Sequence, residues 1–197
     1  MAENPWYQTL RSKWKPAKVR LLLIGESAPA DHGDPANRRF FYSEPLSHAD
    51  NLFRSVVAAL YDSGKLTKGD SKQPWLDRLR TDGVYLIDLA PEPVNALSGA
   101  ARRSVLRASV DDCVKRATEL QPEGIIICHG PSFALLESPL RTARLPLLHD
   151  APIPFPLGNT RAQFIEDVRS AIAKTRLKGL PPVFSKSRSD GFDTVAQ

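Results

Sequence analysis

Two cysteines, Cys113 and Cys128, stand far apart in 197 residues and lack the spacing of metal ligands. They support neither a disulfide framework nor an iron–sulfur cluster, and read as two small buried apolar side chains. Long hydrophobic runs are lacking as well. The longest, residues 21–24 and 125–128, fall far short of the about 20 apolar residues that span a bilayer. No apolar stretch follows the N-terminus, where Trp6, Tyr7 and Trp14 sit among charges, so no secretion signal is expected and a soluble, cytoplasmic protein is. His32, His48, His129 and His149 show no ligand spacing, and neither a metal nor another cofactor is expected. The lysine-bearing phosphate loop, the glycine fingerprint of dinucleotide sites and the serine elbow of α/β-hydrolases are all missing.

What is present is an ordinary globular composition, 42% hydrophobic and 25% charged. The net charge of +5 and a pI near 9.4 are compatible with an anionic partner such as nucleic acid. Part of that excess lies in Lys174, Arg176, Lys178, Lys186 and Arg188, in or near a tail. Length favours one domain over residues 1–178, with its core in 18–174. Residues 179–197, opening on Gly179 and two prolines, read as a mobile tail.

Hydrophobic spacing predicts helices over 4–14, 52–61, 74–81, 101–120, from 131 to 136, and after Thr160. Ser47 with Asp50, and Thr160 with Gln163, are capping signals, and Gly64 closes the second helix. Residues 65–73 are polar and read as loop. Continuous apolar runs predict strands over 19–24, 84–89 and 125–128, with a short fourth near 153–156. Alternation of strands and helices predicts a three-layer α/β/α fold around a central four-stranded parallel sheet. In such sheets ligands bind beyond the carboxyl ends of the strands. That rule selects residues 26–42, 88–95, 129–132 and 155–159.

The sharpest signal is Gly25–Glu26–Ser27–Ala28 after the first strand. Gly25 permits a tight exit, Glu26 brings a carboxylate to the sheet edge, and backbone N–H groups around Ser27 and Ala28 suit an anionic or carbonyl oxygen. The plainer reading is a loop glutamate with a capping serine. Phe40, Phe41 and Tyr42 are consecutive aromatics in a polar loop that are not expected all to turn inward, so that one offers a face to a planar ligand. The plainer reading is a lid on the core. Asp88 ends the second strand and either orients a ligand or caps backbone. His129 follows the third strand and either reaches the cleft or is a satisfied structural imidazole.

With these segments placed, the chain resembles the uracil-DNA glycosylase superfamily over roughly residues 18–174. LLLIGESAPA is similar to the family's first motif, with Glu26 at the acidic position of one branch. FFYSEP resembles the segment supplying the ring that stacks on the base, with Phe41 the best single match and Phe40 or Tyr42 the alternatives. VYLIDLAP is similar to the strand whose final asparagine reads the pyrimidine edge, here Asp88, which as a carboxylate only accepts hydrogen bonds. Phe155 stands where family members carry a histidine, and the four cysteines of the cluster-bearing branch are absent. The resemblance implies a monofunctional base-excision DNA glycosylase acting on a flipped base, and a monomer is expected. It implies that Glu26 positions water or stabilises the sugar cation, that Asp88 tests the base edge, and that Gly158, Asn159, Thr160 and Arg161 lie near the DNA backbone. Two other readings stay open: a non-catalytic module binding nucleic acid, a nucleobase or a nucleotide, and an enzyme acting on another small planar substrate.

Overall fold

The computed structural model describes residues 5–31, 33–44, 46–61, 63, 65–175 and 177. The expected tail, 179–197, lies outside the described residues, as do His32 and Gly64. Seven α-helices and three strands alternate along the described chain: α1 (Trp6–Lys13), β1 (Leu21–Ser27), α2 (Asn51–Tyr61), α3 (Gln73–Thr81), β2 (Val84–Ala90), α4 (Gly99–Ala108), α5 (Val110–Leu120), β3 (Gly124–Ile127), α6 (Gly130–Thr142) and α7 (Arg161–Ala173). The protein is α/β, with a parallel sheet ordered β2-β1-β3.

β1 is central because it is apolar on both faces. Leu21, Leu22, Leu23 and Ile24 point alternately up and down and all four are fully buried, each burial contributing about 1.5–3 kcal/mol. In register, Leu22 lies between Tyr85 and Ile125, and Ile24 between Ile87 and Ile127. The order reverses at β1, so a crevice is expected to open at its carboxyl end.

The outer edges of the sheet are closed by side chains. The Tyr42 hydroxyl accepts from the Leu86 N–H (2.6 Å) and lies 3.2 Å from the Leu86 carbonyl. Arg116 of α5 donates to the carbonyls of Asp88 and Leu89, each at 3.0 Å. Beyond β3, the chain at 146–149 runs parallel to it without forming a strand. The Ile125 N–H donates to the Pro146 carbonyl (2.8 Å), the Leu148 N–H to the Ile125 carbonyl (3.0 Å), and the Ile127 N–H to His149 Nε2 (3.0 Å).

Several expectations are corrected here. The sheet has three strands rather than four, and the segment around Ile153 forms no strand. Prolines at 152, 154 and 156 remove every second N–H that a ladder would need. The helix expected over 101–120 is two helices broken at Ser109. The Ser109 hydroxyl donates to the Val105 carbonyl (2.9 Å) and its N–H is shared between Val105 and Leu106, back-bonding that bends a helix. The Thr160–Gln163 capping box does not form: Thr160 donates to the Phe155 carbonyl (2.6 Å), and Gln163 bonds Asp167. The Ser47–Asp50 signal forms in one direction, the Ser47 N–H donating to the Asp50 carboxylate at 2.5 Å.

Candidate functional site

β1 does not end at Ile24 as expected but stays paired to Ser27, with Gly25 opposite Asp88 and Ser27 opposite Ala90. Gly25 is required here by its neighbour rather than by a turn. A Cβ at this position would lie 2.4 Å from Asp88 Oδ1. Glu26 and Ser27 are therefore held on a strand, more rigidly than a loop would hold them. The Ala28 N–H, expected to be open to a ligand, donates instead to the Ala90 carbonyl at 3.2 Å.

Beyond these strand ends lies a cleft of about 330 Å³. Gly25, Glu26, Ser27 and Ala28 line it from β1 and its exit, Asp88 from β2, Phe41 from the aromatic segment and Phe155 from the segment before α7. Arg102 of α4 completes the wall. Its guanidinium grips both oxygens of Glu26, Nε to Oε1 at 3.1 Å and Nη2 to Oε2, so the carboxylate is held in one orientation. Ser27 Oγ lies 3.5 Å from the side-chain oxygen of Asn95.

Asp88 is buried and ion-paired with Arg11 of α1 at 2.5 Å. Burial pushes its carboxyl above the ordinary carboxylate value, while Arg11 and Arg116 pull it back down. His129 stands beside the cleft. Its Nδ1 is 2.9 Å from Ser132 Oγ, and its ring meets that of Phe155 edge-on at 6.5 Å. Burial lowers the imidazole below its ordinary value, and the Glu26 charge acts in the opposite direction. Ser132 is 1% exposed, which keeps its hydroxyl from a substrate.

The aromatic segment corrects a second expectation, because all three rings turn inward. Phe40, Phe41 and Tyr42 are buried and pack edge-on to one another and to Phe53. The polar stretch 65–73 supplies the reason. Lys72 is fully buried, pairs with Asp50 at 2.8 Å, and donates to the Phe40 carbonyl at 2.9 Å. The aromatic segment is thus tied down by a cation from within. Phe41 floors the cleft while Tyr42 lies behind it, on the β2 edge. Phe155 is the more open ring, at 40% exposure against 7% for Phe41.

Gly158, Asn159, Thr160 and Arg161 form a turn leading into α7, outside the cleft lining. Arg102, Arg11 and Lys72 were missed as site-building residues. Arg102 carried one readable signal: a cation near the N-terminal end of a helix opposes the helix dipole and needs a carboxylate to offset it. Among the described residues, no helix is long and apolar enough to cross a membrane, and no group of three or more His, Cys, Asp or Glu is placed to hold a metal. Compared with known proteins, the chain matches no family model, no curated protein and no solved structure.

Proposed function

We propose that the protein is a base-excision glycosylase of the uracil-DNA glycosylase type, acting on a nucleobase flipped out of DNA. The observation that carries this reading is the gathering of Glu26, Asp88, Phe41 and Phe155 around one cleft. Its volume, about 330 Å³, is at the low end of small-ligand pockets and suits one planar base. In the reaction, the C1′–N bond breaks and its electron pair leaves with the base. A water then adds to C1′, and the proton it gives up goes to the departed base anion, which leaves as the neutral base. Both oxygens of Glu26 are engaged by Arg102, so Glu26 serves as a fixed negative charge beside the sugar cation rather than as the base that takes the proton. Arg102 and Asn95 supply donors at the wall against which charge develops on the leaving base.

The same grip of Arg102 on Glu26 favours a second reading, a module that binds a nucleobase or nucleic acid without cleavage. Oligonucleotides carrying uracil, hypoxanthine, xanthine or alkylated bases distinguish the two when scored for abasic sites. Base release that falls about 10²–10³-fold in Glu26→Ala supports the glycosylase. Release unchanged by that substitution removes the role given to Glu26. Binding without release supports the module.

A further inference from the structure

A second and larger hollow, about 1110 Å³, lies between α1 and the segment from Pro35 to Ser47. It exceeds the roughly 300–1,000 Å³ of pockets that enclose a small ligand, so an extended occupant fits it better. Arg39, Phe40 and Asp50 line both this groove and the cleft, so the two adjoin. Four cations, Lys13, Arg38, Arg39 and Lys68, line the groove. Among the described residues, Lys13, Arg39 and Lys68 have no carboxylate partner, and Arg38 pairs with Asp31. The groove's own acids are largely engaged. Asp50 is neutralised by buried Lys72, and Glu44 accepts the Lys72 N–H at 3.0 Å. Trp6 and Trp14 are covered by Arg38 and Lys13, at 5.1 and 5.0 Å from the ring centroids, so the groove presents charge rather than open ring faces.

We infer that this groove carries the phosphate backbone of one nucleic-acid strand and leads it to the cleft, with Arg39 at the junction. The inference deepens the proposed function by naming the strand path, and it places that path away from the turn at 158–161. It rests on charge complementarity and on the adjacency of the two hollows, and it holds whether or not the cleft cleaves.

The test is fluorescence anisotropy of a labelled, undamaged oligothymidylate across a salt series, which reads binding apart from base release. A triple variant, Lys13→Gln, Arg39→Gln and Lys68→Gln, is compared with a control of equal charge change, Arg80→Gln, Lys115→Gln and Lys174→Gln. The control residues are exposed and line neither hollow. The groove triple is expected to reduce the slope of log affinity against log salt by about 2, at about 0.7 per lost phosphate contact. The control triple should leave that slope almost unchanged. Equal losses in both variants, or no binding by the parent protein at low salt, overturn the inference. So does a polyglutamate peptide that binds as tightly and with the same dependence on the groove. A parent protein that releases no base yet shows the groove-specific slope change sinks the glycosylase reading and leaves the strand path standing.

Discussion

Arg11 and Asp88 are 77 residues apart in sequence, yet their side chains meet at 2.5 Å with 7% and 6% exposure. The pair pins α1 to the carboxyl end of β2, directly under the cleft. Asp88 also lies over Gly25, and Gln8 accepts from the other arm of the guanidinium at 3.1 Å. Removing one member leaves a buried charge without its counter-ion, so Arg11→Met is expected to cost about 3–5 kcal/mol. Adding Asp88→Asn removes the orphaned charge, and the double variant should recover at least about 1 kcal/mol of that loss. Urea unfolding of the parent, the two single variants and the double variant measures this coupling. A double variant no more stable than Arg11→Met would mean that the two side chains are neighbours without being partners.

Lys72 makes a related prediction for the aromatic segment. Burial pulls its ammonium below the ordinary lysine value, while Asp50 opposes that shift. Lys72→Met removes the partner of Asp50 and the donor to the Phe40 carbonyl, and is expected to destabilise by about 3–5 kcal/mol. The loosening should reach β2, because the Tyr42 hydroxyl accepts from the Leu86 N–H. Native-state hydrogen exchange checks this. The Leu86 amide should lose more protection than the Leu23 amide on the central strand. Equal loss at both would indicate general destabilisation rather than release of the segment.

Much of the sheet was legible because its strands are continuous apolar runs bounded by turns, as in 21–24 and 84–89. The errors came where a local cue has a distant cause. Gly25 reads as the end of a strand, but it is glycine because Asp88 occupies the space of its Cβ. The apolar residues near Ile153 suggest a strand, but alternating prolines remove the donors. The rings at 40–42 read as partly exposed because nothing local reveals that Lys72, about thirty positions later, ties their backbone inward. Glu26 and Asp88 were readable as strand-end acids. Their pairing with Arg102 and Arg11 was not, since pairing over such separations leaves no periodic trace; the helix-end position of Arg102 signals only that some carboxylate is needed.

His149 gives the pH dependence a sign. Its Nδ1 lies 2.7 Å from the Ala151 carbonyl and its Nε2 accepts from the Ile127 N–H. The imidazole is therefore neutral, with its proton on Nδ1. Burial lowers its affinity for a proton, as it does for His129. The unfolded chain then binds more protons than the native state near and below the ordinary histidine value of about 6.5. Stability should be full above that value and fall as pH drops through it. Protonating Nε2 also breaks the bond to Ile127, at the edge of β3. Melting temperatures between about pH 8 and pH 5 test this, with His149→Phe as the control. The variant is expected to be less stable at high pH but to lose less on acidification. A profile as steep as the parent's would remove His149 as a source of the dependence.

Phe41 and Phe155 both line the cleft, but the structure gives them different work. Phe41 is 7% exposed and locked edge-on between Tyr42 and Phe53. Truncating it to alanine should act mainly on folding, at about 3–5 kcal/mol. Phe155, 40% exposed at the opposite wall, has free ring surface and touches only His129 edge-on among the described aromatic rings. Its truncation should change stability by less than about 1 kcal/mol, since little of its packing is internal. If the cleft takes a flipped base, the same truncation should weaken binding by about 1–3 kcal/mol, the usual worth of one base stacked on one ring. Unfolding curves and oligonucleotide affinities, measured for Phe41→Ala and Phe155→Ala, separate the two roles. A Phe155→Ala variant that folds and binds like the parent would return the stacking role to Phe41, the ring that the sequence had favoured.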